Sequence, residues 1–197
     1  MGFKINLGGK PHDFFIPIYG RHNVYNALFA AAAAHELGFG VQDIKNGLQN
    51  YHRPSRRLVI YRPGRRIKII DDTFNANPHS VKAAVDVLQE IGGENNIAVL
   101  GDMAELGRLS TWGHKTVGRY LVKKQVNRLF TFGRLAGIIK EAAIEAGFPR
   151  SKAEHFTKRE RMHRRLLTFI KPGTTVLVKG SNTARMNLTV RYLRTHL

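Results

Sequence analysis

Short apolar runs alternate with helical stretches through residues 54–197, and this alternation restricts the fold more than any other feature of the sequence. Between the runs, apolar residues recur on one helical face, as they do in residues 81–91. Strands that read as continuous apolar runs and alternate with helices are typical of a mostly parallel sheet covered by helices on both faces. The sequence therefore predicts a Rossmann-like α/β domain. Its predicted strands are residues 58–61, 67–70, 97–100, 129–132 and 175–178.

Residues 1–53 have a different pattern. Two strand-like runs, 3–7 and 14–18, flank a Gly-Gly-Lys-Pro turn and predict a hairpin. An Ala-rich stretch at 23–37 is apolar on nearly every side, which is typical of a helix buried on most sides. A second helix is predicted at 41–51, where Ile44 and Leu48 lie four residues apart. We expect a domain boundary near Pro54.

The charge of the chain is strongly positive and uneven. The formal net charge is +18. Residues 54–197 hold 27 of the 32 Lys and Arg residues and 11 of the 14 acidic residues, so this part alone carries +16. Such a field attracts nucleic acid, anionic lipid or a substrate that carries phosphates, and charge alone does not choose among them. With no cysteine, disulfides, thiolate metal sites and cysteine nucleophiles are excluded. The longest apolar run, residues 27–34, is too short to span a membrane, so we expect a cytoplasmic protein.

Three polar loops follow predicted strands, where ligands of such sheets bind. The loop at 71–78 contains two carboxylates and two carboxamides that could bind ribose, orient an amine or hold Mg²⁺ through water. Helix capping, with Pro78 in the first turn, is the alternative. The loop at 101–107 is acidic and bounded by glycines. In the loop at 179–182, Lys179 and Ser181 suit a phosphate or carboxylate, and the alternative is a helix cap with an exposed lysine.

The histidines and the basic runs have plainer interpretations. No His-x-x-x-His or His-x-Glu spacing with neighbouring acids occurs, so a histidine metal site is not expected. His114 and His163 fall on predicted amphipathic helices, and we expect them at the surface or at an interface. The basic runs 53–68 and 158–165 lack interleaved aromatic residues, so we expect solvated basic faces and no nucleic-acid binding.

Four motifs, in this order, resemble the Mur ligases. Residues 20–27 read GRHNVYNA, residues 70–78 read IDDTFNANP, residues 99–107 read VLGDMAELG and residues 177–181 read LVKGS. The similarity runs along the whole chain and is greatest to the branch that adds D-alanyl-D-alanine to UDP-N-acetylmuramoyl-tripeptide in cytoplasmic peptidoglycan synthesis. It implies that ATP, with Mg²⁺, phosphorylates the tripeptide carboxylate, and that the dipeptide amine then attacks the acyl phosphate.

The resemblance also implies domain identities and site residues. Residues 1–53 would be the C-terminal end of the central ATPase domain, and residues 54–197 the C-terminal Rossmann-like domain. The residues implied near adenine are Asn23 and Asn26. Those implied at the rest of the nucleotide are Arg57, Asp72 and the adjacent Asp71. The resemblance also implies four residues that face the acyl phosphate and the incoming amino acid, namely Asn75, Asn77, Lys179 and Ser181.

Departures from the family pattern set further expectations. No Gly-x-x-x-x-Gly-Lys-[Ser/Thr] phosphate loop occurs in the sequence, and the resemblance places the magnesium ligands upstream of Met1. We therefore expect a truncated frame or half of a split ligase, inactive without a separate N-terminal half. The alternative is a non-catalytic nucleotide- or polyanion-binding module. In the family pattern a glycine usually precedes the nucleotide arginine, but this sequence has Arg56 at that position. An arginine usually follows Lys-Gly-Ser, but this sequence has Asn182 there, with Arg185 as a candidate replacement.

Overall fold

The computed structural model describes residues 1–64 and 66–197, which divide into two compact units, Met1–Pro54 and Ser55–Leu197. The first unit contains strands β1 (Gly2–Leu7) and β2 (Lys10–Phe15), followed by helices α1 (Arg21–Glu36) and α2 (Val41–Gln49). The two strands form an antiparallel hairpin in which Leu7 pairs with Lys10. The intervening Gly8 and Gly9 both have positive φ, as a two-residue hairpin turn requires. Because pairing starts directly after this turn, the second strand lies earlier than the predicted 14–18.

Helix α1 is buried along one stripe only. Ala27 and Ala31 are buried, where the helix contacts β1 and α2. Phe29 and Leu37 are each 77% exposed. The predicted burial on most sides is therefore wrong within residues 1–54, because this unit supplies packing partners for a single face.

The second unit has a mostly parallel sheet, as predicted. Its described residues form strands β3 (Val59–Gly64), β4 (Ile67–Asp72), β5 (Asn95–Gly101), β6 (Arg128–Phe132), β7 (Ala153–Phe156) and β8 (Thr174–Lys179). The strand order is β3-β4-β8-β5-β6-β7, and only β3 runs antiparallel to its neighbour. Strand β7 was not predicted, because its four residues, AEHF, are short and half polar.

Helices cover both faces of this sheet. They are α3 (Pro78–Ile91), α4 (Ser110–Lys123), α5 (Gly137–Glu145), α6 (Arg159–Leu167) and α7 (Asn187–His196). Ile69 and Val176 pack in one cluster with residues of α6 and α7. Their chain neighbours Ile70 and Leu177 are also buried, and since successive strand residues point to opposite faces, they lie on the side of α3. Every helix in the described residues is too short or too polar to cross a membrane.

Two histidines expected at the surface are buried. His114 lies between the backbone N–H of Met103 and the carbonyl oxygen of Ser110, at 3.1 and 2.7 Å from its ring nitrogens. His163 contacts the Thr189 hydroxyl at 3.0 Å, and its ring stacks on Tyr192. The surface prediction is wrong for both, because each ring satisfies polar groups inside the fold that helical periodicity cannot reveal.

The burial of His163 predicts acid sensitivity. Burial, and next the charge of Arg159, lowers the pKa of His163 to about 4 from an ordinary value of 6.5. Between these two pH values the unfolded chain binds more protons at this residue, so the free energy of unfolding should fall as the pH is lowered through this window. Denaturant titrations at several pH values measure the slope of the free energy of unfolding against pH. His163→Gln should reduce it, whereas His79→Gln, at an exposed histidine of α3, should not. An unchanged slope in His163→Gln would refute the assignment.

Candidate functional site

A buried lysine at the end of β8 is the centre of the candidate site. In the parallel pair β4 and β8, Asp72 lies beside Lys179. The Lys179 ammonium is 2.5 Å from the Asp72 carboxylate and 2.9 Å from the carbonyl oxygen of Asn75. Only 2% of Lys179 is exposed, so the alternative of an exposed lysine at a helix cap is wrong. Burial lowers the pKa of this ammonium, and the Asp72 carboxylate opposes that shift.

The two adjacent aspartates have separate partners. Asp72 accepts a hydrogen bond from the Leu58 backbone N–H at 3.2 Å with the oxygen that does not contact Lys179. Asp71 is buried and accepts hydrogen bonds from the hydroxyl and backbone N–H of Thr73, at 2.7 and 3.2 Å. Burial raises the pKa of Asp71, and these hydrogen bonds oppose the shift. The structure thus places Asp72 with Lys179 and turns Asp71 toward its own loop.

The two asparagines of the loop at 71–78 also differ. Asn75 is exposed, and its carbonyl oxygen is held by Lys179. The Asn77 side chain accepts from the Ser80 backbone N–H at 2.8 Å, and Ser80 Oγ accepts from the Asn77 N–H. This capping box, with Pro78 in the first turn of α3, confirms the capping interpretation for Asn77. A role of Asn77 toward substrate stays a prediction.

The loop after β8 is packed tightly against the end of β5. The Ser181 backbone N–H donates to the carbonyl oxygen of Asp102 at 2.8 Å, and the Ser181 hydroxyl lies 3.1 Å from that of Thr183. A Cβ at Gly180 would lie 2.7 Å from the Met186 side chain and 3.2 Å from the Gly101 Cα. Glycine at 180 is therefore required by close packing and not by an unusual φ.

The acid that opens the loop at 101–107 has a structural role. The Asp102 carboxylate accepts hydrogen bonds from the backbone N–H groups of Arg134, Leu135 and Ala136, at 3.1, 2.9 and 2.6 Å. These groups directly precede α5, where they would otherwise lack partners. Asp102 thus fixes the start of α5 to the end of β5.

Arginines near the start of the second unit lie over an aromatic side chain. The Arg57 guanidinium is 4.1 Å from the centre of the Phe74 ring, and that of Arg56 is 5.5 Å away. Arg56 also donates to the Asn182 side-chain oxygen at 2.8 Å. Arg56 has φ of 60°, in the left-handed region that favours glycine. The departure from glycine is visible in the sequence, whereas the contact with Asn182 joins residues 126 positions apart and is not.

Arg159 is not part of a solvated basic face. Its guanidinium donates to the carbonyl oxygen of Ala184 at 2.9 Å and to the Thr189 hydroxyl at 3.2 Å, and it lies 4.2 Å from the Phe132 ring centre. Burial lowers its pKa. Arg159 therefore anchors the turn that follows Ser181, whereas Arg164 on the same helix is exposed. The prediction for the run at 158–165 is wrong at Arg159.

A shallow pocket of about 230 Å³ joins the three polar loops. Its lining residues are Phe74, Asn75, Ala104, Glu105, Ser181, Asn182 and Thr183. The ends of β4, β5 and β8 thus meet at one site, as expected for a parallel sheet.

The remaining predicted site residues belong to the first unit. The side chain of Asn23 donates to the carbonyl oxygen of Tyr19 at 2.7 Å, and that of Asn26 donates to the Asn23 side-chain oxygen at 3.3 Å. They lie near the start of α1, whose N-cap is Gly20. Asn23 and Asn26, three residues apart, therefore lie on one side of the first two turns of α1.

The family described as Mur ligase, glutamate ligase domain, matches residues 56–182. The UDP-N-acetylmuramoyl-tripeptide–D-alanyl-D-alanine ligase of Bacillus subtilis is 32% identical over 193 residues, which cover 98% of this chain and 42% of that protein. Its namesake in Escherichia coli is 36% identical over 184 residues, 92% of this chain and 39% of that protein. The chain thus spans about two fifths of the length of these relatives.

A crystal structure of MurF from Acinetobacter baumannii superimposes with a TM-score of 0.87 at 30% identity and covers 98% of this chain, which is 42% of that one. MurF from Thermotoga maritima, solved in complex with ADP, has a TM-score of 0.82 with the same coverage of this chain and 43% of its own. At 20% identity it supports the fold alone. The matched family, the relatives and the fold agree with the four motifs, and this chain belongs to the Mur ligase family.

Proposed function

We propose that the chain is the C-terminal portion of an ATP-dependent ligase that adds D-alanyl-D-alanine to UDP-N-acetylmuramoyl-tripeptide in cytoplasmic peptidoglycan synthesis. ATP supplies the phosphoryl group that activates the tripeptide carboxylate, and the dipeptide amine displaces phosphate. The observation that carries the proposal is the buried pair of Lys179 and Asp72, beside the pocket at the ends of β4, β5 and β8. The relatives named for this reaction support it.

Lys179 contributes charge and position to this site. Its ammonium is held by Asp72 within a low-dielectric environment, where a fixed positive charge stabilises developing negative charge more strongly than it would in water. Its bond to the Asn75 carbonyl oxygen also fixes the loop that lines the pocket. Ser181 lines the same pocket and is fixed through Asp102. These residues would orient the acyl phosphate and the incoming amine without moving themselves.

The second unit also offers a surface for the nucleotide. The Arg57 guanidinium lies on an exposed aromatic ring, which leaves its N–H donors in the plane of the group for phosphate or ribose oxygens. Among the described residues, no group of three His, Asp or Glu side chains is placed to hold a metal ion. As the resemblance implies, we propose that the Mg²⁺ ligands lie mainly in the preceding part of the ligase.

For residues 1–53 we propose the end of the central ATPase domain, with Asn23 and Asn26 near adenine. The exposed apolar face of α1, which includes Phe29 and Tyr25, supports this assignment. Apolar patches of this kind mark surfaces that another part of a protein covers. A separate N-terminal half is the partner that this proposal requires.

A ligation assay tests the proposed function. The chain is incubated with ATP, Mg²⁺, UDP-N-acetylmuramoyl-tripeptide and D-alanyl-D-alanine, alone and together with the preceding part of the Bacillus subtilis relative. We expect no product from the chain alone, because its sequence contains no Gly-x-x-x-x-Gly-Lys-[Ser/Thr] loop to bind the β- and γ-phosphates of ATP. Product should form with the complementing part. Ligation by the chain alone would contradict this division of labour.

Arg57 should affect the use of ATP in the complemented ligase. Arg57→Ala should raise the KM for ATP about tenfold, as expected for the loss of one charge-assisted hydrogen bond. Arg164→Ala is the matched control, because Arg164 is exposed on α6 and should leave this KM unchanged. Equal effects of the two substitutions would refute the assignment of Arg57.

The alternative is a non-catalytic module that binds nucleotides or polyanions. It is favoured by one observation, the concentration of 27 of the 32 cationic residues in residues 54–197. Such a module should bind DNA with an affinity that falls steeply with salt concentration. Weak DNA binding together with ligation by the complemented chain would favour the ligase.

A further inference from the structure

Arg56 is a cation at the edge of the candidate pocket, and the proposed function leaves it without a role. Its guanidinium donates to the side-chain oxygen of Asn182, which lines that pocket, and it lies over the ring of Phe74, which lines it too. Arg56 is therefore fixed at the pocket by two neighbours that carry no charge.

The charge of Arg56 is not neutralised within the part of the chain that the structure describes, where no carboxylate forms an ion pair with it. Asp71 is close enough to sense its charge, but that carboxylate is buried and bound by Thr73. A half-buried guanidinium that is oriented by neutral groups retains donors for an anionic ligand.

The backbone at Arg56 adds a second argument. A φ of 60° is strained for a residue that carries a Cβ. Glycine would avoid this strain, so the side chain at this position opposes local stability. The two positions at which the sequence departs from the family pattern, 56 and 182, are the two that contact each other. The Arg56 guanidinium thus contacts the side chain at position 182, where the family pattern has an arginine.

We propose that Arg56 is a specificity-determining residue that binds the anionic oxygen group of a substrate in the pocket lined by Phe74, Glu105 and Asn182. Glu105 also lines this pocket, so the ligand class that satisfies both charges is a small zwitterion with a carboxylate and an amine. This inference rests on the proposed function, in which D-alanyl-D-alanine is such a zwitterion. A phosphoryl group has the same anionic chemistry and is the other source of the anion.

Chemical-shift titrations of the full ¹⁵N-labelled chain test the proposal without requiring catalysis. The probes are D-alanyl-D-alanine and, separately, inorganic phosphate. We expect saturable shifts at residues 56 and 181–183. Arg56→Gly should weaken binding about tenfold, and it should not disturb folding because glycine favours this φ. The double variant Arg56→Gly with Asn182→Arg carries a guanidinium at position 182 instead of position 56. Its Kd for the probe should return to within about threefold of that of the unchanged chain.

The matched control is Arg66→Gly. Arg66 is an exposed arginine that has a positive φ, as Arg56 does, but it directly precedes β4 and so lies at the opposite end of the strands. The Arg66→Gly variant should bind both probes as tightly as the unchanged chain does. Stronger shifts with the dipeptide identify a carboxylate as the anion and support the zwitterion, whereas stronger shifts with phosphate would overturn the zwitterion, because phosphate has no amine for Glu105. No saturable shift with either probe, unchanged binding in Arg56→Gly, or equal weakening in Arg66→Gly would overturn the proposal. Ligation failing while this pattern holds would instead count against the proposed function.

Discussion

Lys179→Met is expected to lower the free energy of unfolding by about 3 to 5 kcal/mol, the usual cost of removing one partner of a buried ion pair. The substitution leaves the Asp72 carboxylate with the Leu58 N–H as its remaining partner, and it leaves the Asn75 carbonyl oxygen without the ammonium. Equilibrium denaturation of the full chain measures the loss. Adding Asp72→Asn should recover part of it, because the uncompensated charge is then gone.

The surface pair of Lys124 and Asp86 provides the control. Its atoms are 2.7 Å apart, but 37% of the Lys124 side chain and 47% of the Asp86 side chain are exposed. Solvent screens such pairs strongly, so Lys124→Met should change stability little. If Lys124→Met costs as much as Lys179→Met, burial is not what makes the Lys179 pair important.

Asp102→Ala should cost about 3 kcal/mol of stability, because three backbone N–H groups lose a charged acceptor at once. The loss should be largest at the start of α5, where hydrogen exchange of residues 134–136 should become faster. Equilibrium denaturation and hydrogen exchange together measure the two effects.

Asn77→Ala serves as the comparison for Asp102→Ala. Asn77 caps α3 from an exposed position with a neutral side chain, so its loss should cost about 1 kcal/mol. Unchanged exchange at residues 134–136 in Asp102→Ala would contradict the role given to that carboxylate.

The sequence by itself determined the alternation of strands and helices in the second unit and the polar loops at strand ends. Both follow from local chemistry, since apolar periodicity distinguishes strand from helix and Asn, Asp, Gly and Pro mark loops. The capping role of Asn77 is likewise local, because its partner Ser80 is three residues away. Strand β7 was missed because its polar residues give no apolar run.

Only the tertiary structure decided which distant side chains meet. Strand β8 lies between β4 and β5, and this order brings Lys179 to Asp72 and Asn182 to Arg56. Nothing local distinguishes Asp72, which binds Lys179, from Asp71, which binds Thr73. The burial of His163 similarly depends on the packing of α6 against α7. Local patterns specify periodicity and turns, whereas strand order is set by the burial of the whole sheet, and the partners of each charged group follow from that order.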